Sequence, residues 1–276
     1  LEIGQIQSSL ICGNKGKILH HLEIFRSRDK EWIVICDPGE GRAVGTILDN
    51  FHVREDLDMR LLNSGEMLRI DLIGPDTEKN LEKLGYDPAK TEWKFDESSV
   101  LTVKLNLGKT PRFINLVNIN VLQEFTAQIL KFENSDLTGL EAFDQIRISE
   151  GIPRFGVDYD SGNFPQEAGL SDHISFEKGC YIGQEPHARM YHRGHPNWFS
   201  VWLKLPEKSD AISGNLLYHN QKEIGKITSL GSFSQNGFLR GIAMIRHESA
   251  VEKTLLALEV DLQPIIEQEA LPYIIV

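Results

Sequence analysis

Apolar residues change their spacing at Gly194, and no other feature constrains the fold as strongly. Beyond it, short apolar runs at 199–205, 216–218, 223–229 and 238–245 are separated by glycine and polar turns. Runs of that length are strands, and several in succession predict a small C-terminal β-barrel or sandwich. Before Gly194, apolar residues recur at both strand and helix spacing, so the chain is read as α+β. Its 276 residues are enough for two or three domains.

The mixed portion divides as follows. Residues 17–26 and 31–36 are two strands joined by a polar turn at 27–30, a hairpin pattern. Val44, Ile47, Leu48 and Phe51 share one face of a helix over 42–51, and 57–62 returns as a strand. This β-β-α-β order has ferredoxin-like character. Residues 67–73 form a strand ended by Gly74-Pro75. A helix follows, capped by Asp76 or Thr77 and stopped by Gly85. Strands are expected at 100–107 and 112–117, and a helix over 121–132. Thr138 and Glu141 have capping-box spacing for a helix running towards Ile148, terminated by Gly151 and Pro153. Residues 151–175 read as a long loop, a type of segment that is usually functional or mobile.

No run reaches the roughly 18 apolar residues of a membrane span. The formal net charge of −11 opposes broad nucleic-acid binding. Three cysteines, Cys12, Cys36 and Cys180, make no CxxC pair. That argues against a disulfide scaffold, a zinc ribbon or a self-contained iron–sulfur site, and for a reducing compartment.

Residues 171–197 are the most chemically loaded stretch. Lys178-Gly179-Cys180 sets a thiol beside a cation, which favours the thiolate over its ordinary pKa of about 8.5. Gly179 and Gly183 permit unusual backbone angles. Tyr181, Gln184 and Glu185 complete the motif, and His187, Arg189, His192, Arg193 and His195 follow. Arginines would take carboxylates, and the amide and carboxylate would bond a heterocycle, as in the floor of a pocket for an anionic aromatic ligand. Cys12 and Cys36 read as small buried hydrophobes. The His-x4-His-x2-His spacing fits no helix-face pair, so no metal is expected. Cys180 with His187 is a formal nucleophile and base, without an identifiable orienting group.

Three blocks, RISEGIPRFGVD at 147–158, FPQEAGL at 164–170 and FEKGCYIGQEPHARMYHRG at 176–194, resemble in order and spacing the YgfZ branch of the folate-binding GcvT-like superfamily. LICGNKGKILHHLEIFR at 10–26 and IDLIGPDTEKNLEKLG at 70–85 are similar to its first hairpin and its strand–Gly–Pro–helix unit, and 199–247 to its barrel. The resemblance implies a three-domain ring, with two mixed α/β domains and a C-terminal antiparallel β-barrel around a folate pocket. The implied domains are 1–15 with 66–150, which carries the folate pocket; 16–65 with 151–193, ferredoxin-like; and 194–276, the barrel. The chain begins at Leu1 rather than Met, and an N-terminal strand and helix are expected to be missing from the first domain.

The implied role is assembly or repair of iron–sulfur clusters in other enzymes, with Cys180 as the essential thiol. Lys178, Gly179, Tyr181, Gly183, Gln184 and Glu185 form its motif. Arg147, Arg189 and Arg193 are the candidate contacts to tetrahydrofolate. Partners would be a reduced folate and iron–sulfur proteins or their assembly factors, in the cytoplasm or a mitochondrial matrix. The related glycine-cleavage aminomethyltransferases carry paired aspartates where His20 and His21 stand here, which disfavours their chemistry and a classical enzyme. A transferase with a changed acceptor would need a carboxylate from Glu23, Glu150 or Glu185. An interaction module that has lost its ligand is the third alternative.

Overall fold

The computed structural model describes residues 1–62, 65–90, 92–95, 98–105, 108–234, 236–251, 254–259, 264–269 and 271. The chain divides into two compact units, Leu1–Ser9 with His21–Leu137, and Leu10–His20 with Thr138–Val276.

The first unit holds most of a three-stranded sheet, β1 (Ile6–Cys12), β2 (Ile18–Arg28) and β3 (Glu31–Cys36), in the order β1-β2-β3. The β2–β3 register, Leu22 opposite Cys36 through Arg26 opposite Trp32, matches the expected hairpin. Its turn is tighter than expected: β2 continues through Arg28 past a bulge, and Lys30 turns the chain at φ 61°. Helix α1 (Gly41–Phe51) follows and buries Val44.

The strand expected at 57–62 does not form. Its alternation predicts a half-buried strand, yet Leu57, Met59 and Leu61 are exposed. Without a neighbour to pair with, alternation alone cannot make a sheet. The β-β-α-β order of ferredoxin-like character is therefore incomplete here.

A second sheet has the order β4-β7-β6-β5, built from β4 (Met67–Ile73), β5 (Glu92–Phe95), β6 (Ser98–Leu105) and β7 (Arg112–Asn118). Residues 106–107 of the strand expected at 100–107 lie outside the described residues, and β5 was not anticipated. Helices α2 (Thr77–Lys83) and α3 (Leu122–Ile129) belong to the same unit. Leu81, Phe113, Val117 and Phe125 are buried together as its core. Burying each such side chain stabilises by about 1.5–3 kcal/mol. Gly85 ends α2 at φ 102°, as expected, but Asp76 makes no side-chain cap.

In the second unit, α4 (Leu140–Ser149) starts after Gly139 with no side-chain cap, so the Thr138–Glu141 capping box does not form. Gly151 stops the chain's helical course at φ 72°. The 151–175 segment holds itself by local hydrogen bonds, including Gly156 N–H to Tyr159 O at 2.8 Å and Leu170 N–H to Pro165 O at 2.8 Å. It buries Tyr159, Ala168 and Leu170 with Ile18 and Met244. It is an ordered part of the core rather than an open loop.

Residues 184–193, where spacing along the sequence predicts no element, form helix α5 (Gln184–Arg193). The low apolar content hid it. Pro186 lies in the first turn, where its missing N–H costs nothing. Glu185 near the N-terminus and His192 and Arg193 near the C-terminus complement the helix dipole.

The C-terminal strands are β8 (Trp198–Pro206), β9 (Leu216–His219), β10 (Lys222–Leu230), β11 (Phe238–Arg246), β12 (Leu255–Leu256) and β13 (Ile266–Glu269). They form one antiparallel sheet in the order β12-β13-β8-β11-β10-β9. Tyr218 and Ala257 exchange N–H···O bonds of 2.9 Å, which nearly closes the sheet on itself and decides for a barrel over a sandwich. Alternate residues Val201, Leu203 and Leu205 fill the interior with Leu217, Ile227, Ala243, Ile245 and Ile266. Trp202 points the other way and donates its indole N–H to Ile148 O at 2.9 Å, fixing α4 on the barrel. Strands β12 and β13 were not read from the sequence.

Candidate functional site

The cysteine motif sits between a short helical turn at Ser171–His173 and α5. Lys178, Gly179 and Cys180 are exposed, and Tyr181 is half-buried. The Lys178 ammonium lies 4.8 Å from the centroid of the Tyr181 ring. Tyr181 turns its hydroxyl inward, where it meets no hydrogen-bond partner. Burial and the nearby Cys12 thiol push that hydroxyl's pKa up. Cys12, half-buried at the end of β1, is pushed up to about 11 by burial, against the opposing field of Lys178. Cys36 is also half-buried and raised, by burial first and then by Asp37, Glu40 and Glu23. Of the three thiols, only Cys180 is open to solvent.

Gly183 caps α5 with φ 84°, a left-handed conformation that suits glycine. A side chain there would come within 2.7 Å of the Gly13 carbonyl oxygen. Gln184 is half-buried and Glu185 exposed. Glu185 pairs with Arg189 at 3.3 Å, but both side chains are largely exposed, so the pair adds little stability. Arg193 is exposed in the last turn.

His187 cannot serve Cys180 as a base. It is 1% exposed and its Nε2 is bonded to the Gly16 carbonyl at 2.7 Å. Among the described residues, no group of three His, Cys, Asp or Glu is placed to hold a metal.

Arg147 lies elsewhere in the second unit, 3% exposed. It donates to Asp158 at 2.6 Å, to Ser229 at 2.9 Å, to Ile152 O at 3.2 Å, and to Asp144. Asp158 also accepts from Thr228 at 2.6 Å and from the Arg154 N–H at 2.9 Å. This donor set is committed to protein carboxylates. Arg189 and Arg193, in contrast, are exposed on α5.

A second polar constellation, in the first unit, was only partly visible in the sequence. Ser8 Oγ and His21 Nε2 share a 2.6 Å hydrogen bond. Glu23, two residues along β2, lies 3.6 Å from Arg69. Arg69 also binds Asp71 at 2.7 Å, and Arg112 pairs with the same carboxylate. Burial raises the Glu23 pKa above its usual range, outweighing Arg69 and Arg112. Asp71 is held below its usual range by hydrogen bonds and charge from Arg69 and Arg112, which exceed its burial penalty. The signal for Arg69 and Asp71 was their alternation inside an apolar strand. Ser8 gave none. His20 and His21 are both half-buried.

Two shallow depressions of about 210 and 190 Å³ lie on the second unit, at Lys204, Phe238 and Arg240 and at Gln145, Ser149 and Phe233. No cysteine-motif residue lines either. Among the described residues, no helix is long and apolar enough to cross a membrane.

No protein-family model matches the chain. Its sequence is similar to proteins named aminomethyltransferase. That of Desulfitobacterium hafniense (strain Y51) is 27% identical over 248 residues, covering 85% of this chain and 66% of the relative. That of Halothermothrix orenii is 26% identical over 264 residues, covering 91% and 72%. That of Aquifex aeolicus is 26% identical over 246 residues, covering 88% and 66%. The chain thus spans less than two thirds of the first relative's length, at 66%. Among solved structures, the glycine cleavage system aminomethyltransferase T from Bartonella henselae superposes with a TM-score of 0.80 at 20% identity, covering 97% of this chain and 74% of that one. The barrel, the mixed α/β portion and these likenesses together give the chain the GcvT-like fold of the aminomethyltransferases, with sequence kinship to proteins of that name.

Proposed function

We propose that this protein binds a reduced folate and supports the assembly or repair of iron–sulfur clusters in other enzymes through Cys180. One observation carries the reading: the motif thiol is exposed beside Lys178, while Cys12 and Cys36 are half-buried with raised pKa values. One thiol cannot hold a cluster, which needs about four protein ligands. Cys180 therefore acts by transient thiolate exchange, or as one ligand at an interface with the client protein, whose cluster is the substrate. Arg189 and Arg193 would hold the folate carboxylates, and the folate when bound would supply a one-carbon carrier. Arg147 serves as a buried anchor for the loop that follows α4.

The test pairs genetics with binding. A Cys180→Ala protein should fail to restore iron–sulfur enzyme activity in a strain lacking the gene, while still binding 5-formyl-tetrahydrofolate. Full restoration by that variant would sink the reading.

A second reading, a tetrahydrofolate-dependent one-carbon transferase, has more direct support from the names of the relatives. The half-buried Glu23, with its raised pKa, supports it as the carboxylate that His20 and His21 do not supply. Turnover of 5,10-methylene-tetrahydrofolate with an amine acceptor, abolished in Glu23→Gln, would favour it. Tight folate binding without turnover would exclude it.

A further inference from the structure

We infer that His187 is the positioning residue of the Cys180 segment, latching the start of α5 to the 13–16 turn. The inference rests on the reading that the Cys180 thiol is the working group.

The contact is built at close range from both sides. Gly16 holds φ 75°, and a side chain on it would meet the Pro186 side chain at 3.0 Å and the His187 ring at 3.1 Å. A side chain on Gly183 would meet Gly13 O at 2.7 Å and Gly16 Cα at 2.9 Å. Two glycines thus let backbone approach backbone three residues from Cys180. Into that approach His187 places its ring, 1% exposed, and donates Nε2–H to Gly16 O at 2.7 Å. The acceptor is a carbonyl, so the proton must sit on Nε2.

Nδ1 then carries a lone pair, buried and without a partner. Leaving a buried acceptor unpaired is unfavourable, so bulk alone does not account for a histidine here. Gln166 donates weakly to the His187 carbonyl at 3.5 Å, and the Tyr181 ring centroid lies 6.1 Å from the imidazole. The exposed Cys180 therefore stands immediately before two anchors, the half-buried Tyr181 and the latch beyond it.

On the segments that contact His187, the charged and titratable groups are Tyr181, with Lys178 over its ring, Lys15 and Lys17 beside Gly16, and Glu167 beside Gln166 and paired with Lys17. Glu185 and Arg189 lie on its own helix. Burial lowers the His187 pKa below its ordinary value, against the Gly16 hydrogen bond. Protonation would put an unpaired charge into the latch.

Two variants of the full chain separate these contributions. His187→Gln keeps an N–H able to reach Gly16 O but cannot titrate, whereas His187→Leu keeps bulk and loses the donor. The readout is the rate of backbone amide hydrogen exchange across residues 180–188, mapped by mass spectrometry from pH 5 to 8 and corrected for the intrinsic pH dependence of exchange. Trp fluorescence checks that the barrel stays folded. The Leu variant should exchange at least about fivefold faster at pH 7.5, and the Gln variant within about twofold of wild type. Wild type should show an extra acceleration below about pH 6.5 that the Gln variant lacks.

Equal rates in all three proteins, or a Gln variant no better than Leu, would overturn the latch. Should the Leu variant not fold, the wild-type and Gln comparison decides alone, and identical acid profiles would overturn it. Faster exchange in Leu together with full complementation by Cys180→Ala would uphold the latch while removing the functional reading.

Discussion

The imidazole Nε2 of His187 lies 2.7 Å from the carbonyl oxygen of Gly16, a residue 171 positions earlier in the chain. This hydrogen bond joins the hairpin turn between β1 and β2 to the helix that follows the cysteine motif. Both ends meet through glycine, and the stability of the contact follows from that.

Gly183→Ala should destabilise the second unit by more than about 1 kcal/mol. The new methyl group would have to pass within 2.7 Å of Gly13 O at a φ of 84°. Urea denaturation followed by Trp fluorescence measures it. Gly179→Ala, with nothing within 4 Å of its added carbon, should be close to neutral.

Arg147→Leu should cost about 3–5 kcal/mol, because it leaves the buried Asp158 carboxylate without its cation. Combining it with Asp158→Asn should recover part of the loss in a double-mutant cycle. If Arg147 instead contacted ligand carboxylates, the variant would lose folate affinity at unchanged stability.

Alkylation should separate the thiols. At pH 8, iodoacetamide should modify Cys180 well before Cys12, whose pKa of about 11 leaves roughly one thiol in a thousand ionised. Peptide mapping against time reads the order. Cys12 reacting first would contradict the burial pattern.

Acid should act in two windows. The folded pKa of His187 is lowered, so its unfolded form binds the proton first. Stability is then full above the unfolded value of about 6.5 and declines as pH falls from there towards the folded value. Asp71, also lowered in the fold, contributes stability above its unfolded pKa of about 3.9. That contribution is lost as pH falls through its folded pKa. Urea midpoints from pH 8 to 3 should show the upper step vanish in His187→Gln and the lower one shrink in Asp71→Asn.

Local chemistry was written in the sequence where one face or one turn decides the outcome. Alternating apolar residues announced β4, β7, β8, β10 and β11 within a residue or two, because a half-buried strand must alternate. KGCYIGQE singled out Cys180 by its polar and glycine neighbours, whereas the exposure of its thiol was settled by the structure.

What failed was whatever depends on partners far along the chain. Leu57 to Leu62 alternates but pairs with no strand among the described residues. Helix α5 lacks an apolar stripe, and its place is set by one histidine reaching Gly16 and one glycine fitting under Gly13. Arg147 read as a ligand contact until Asp158 and Ser229, 11 and 82 residues away, took up its donors. Spacing along the chain encodes which face a side chain occupies. It does not encode which distant carbonyl or carboxylate will stand within 3 Å of it, and that pairing settles whether a polar residue anchors the fold or meets a ligand.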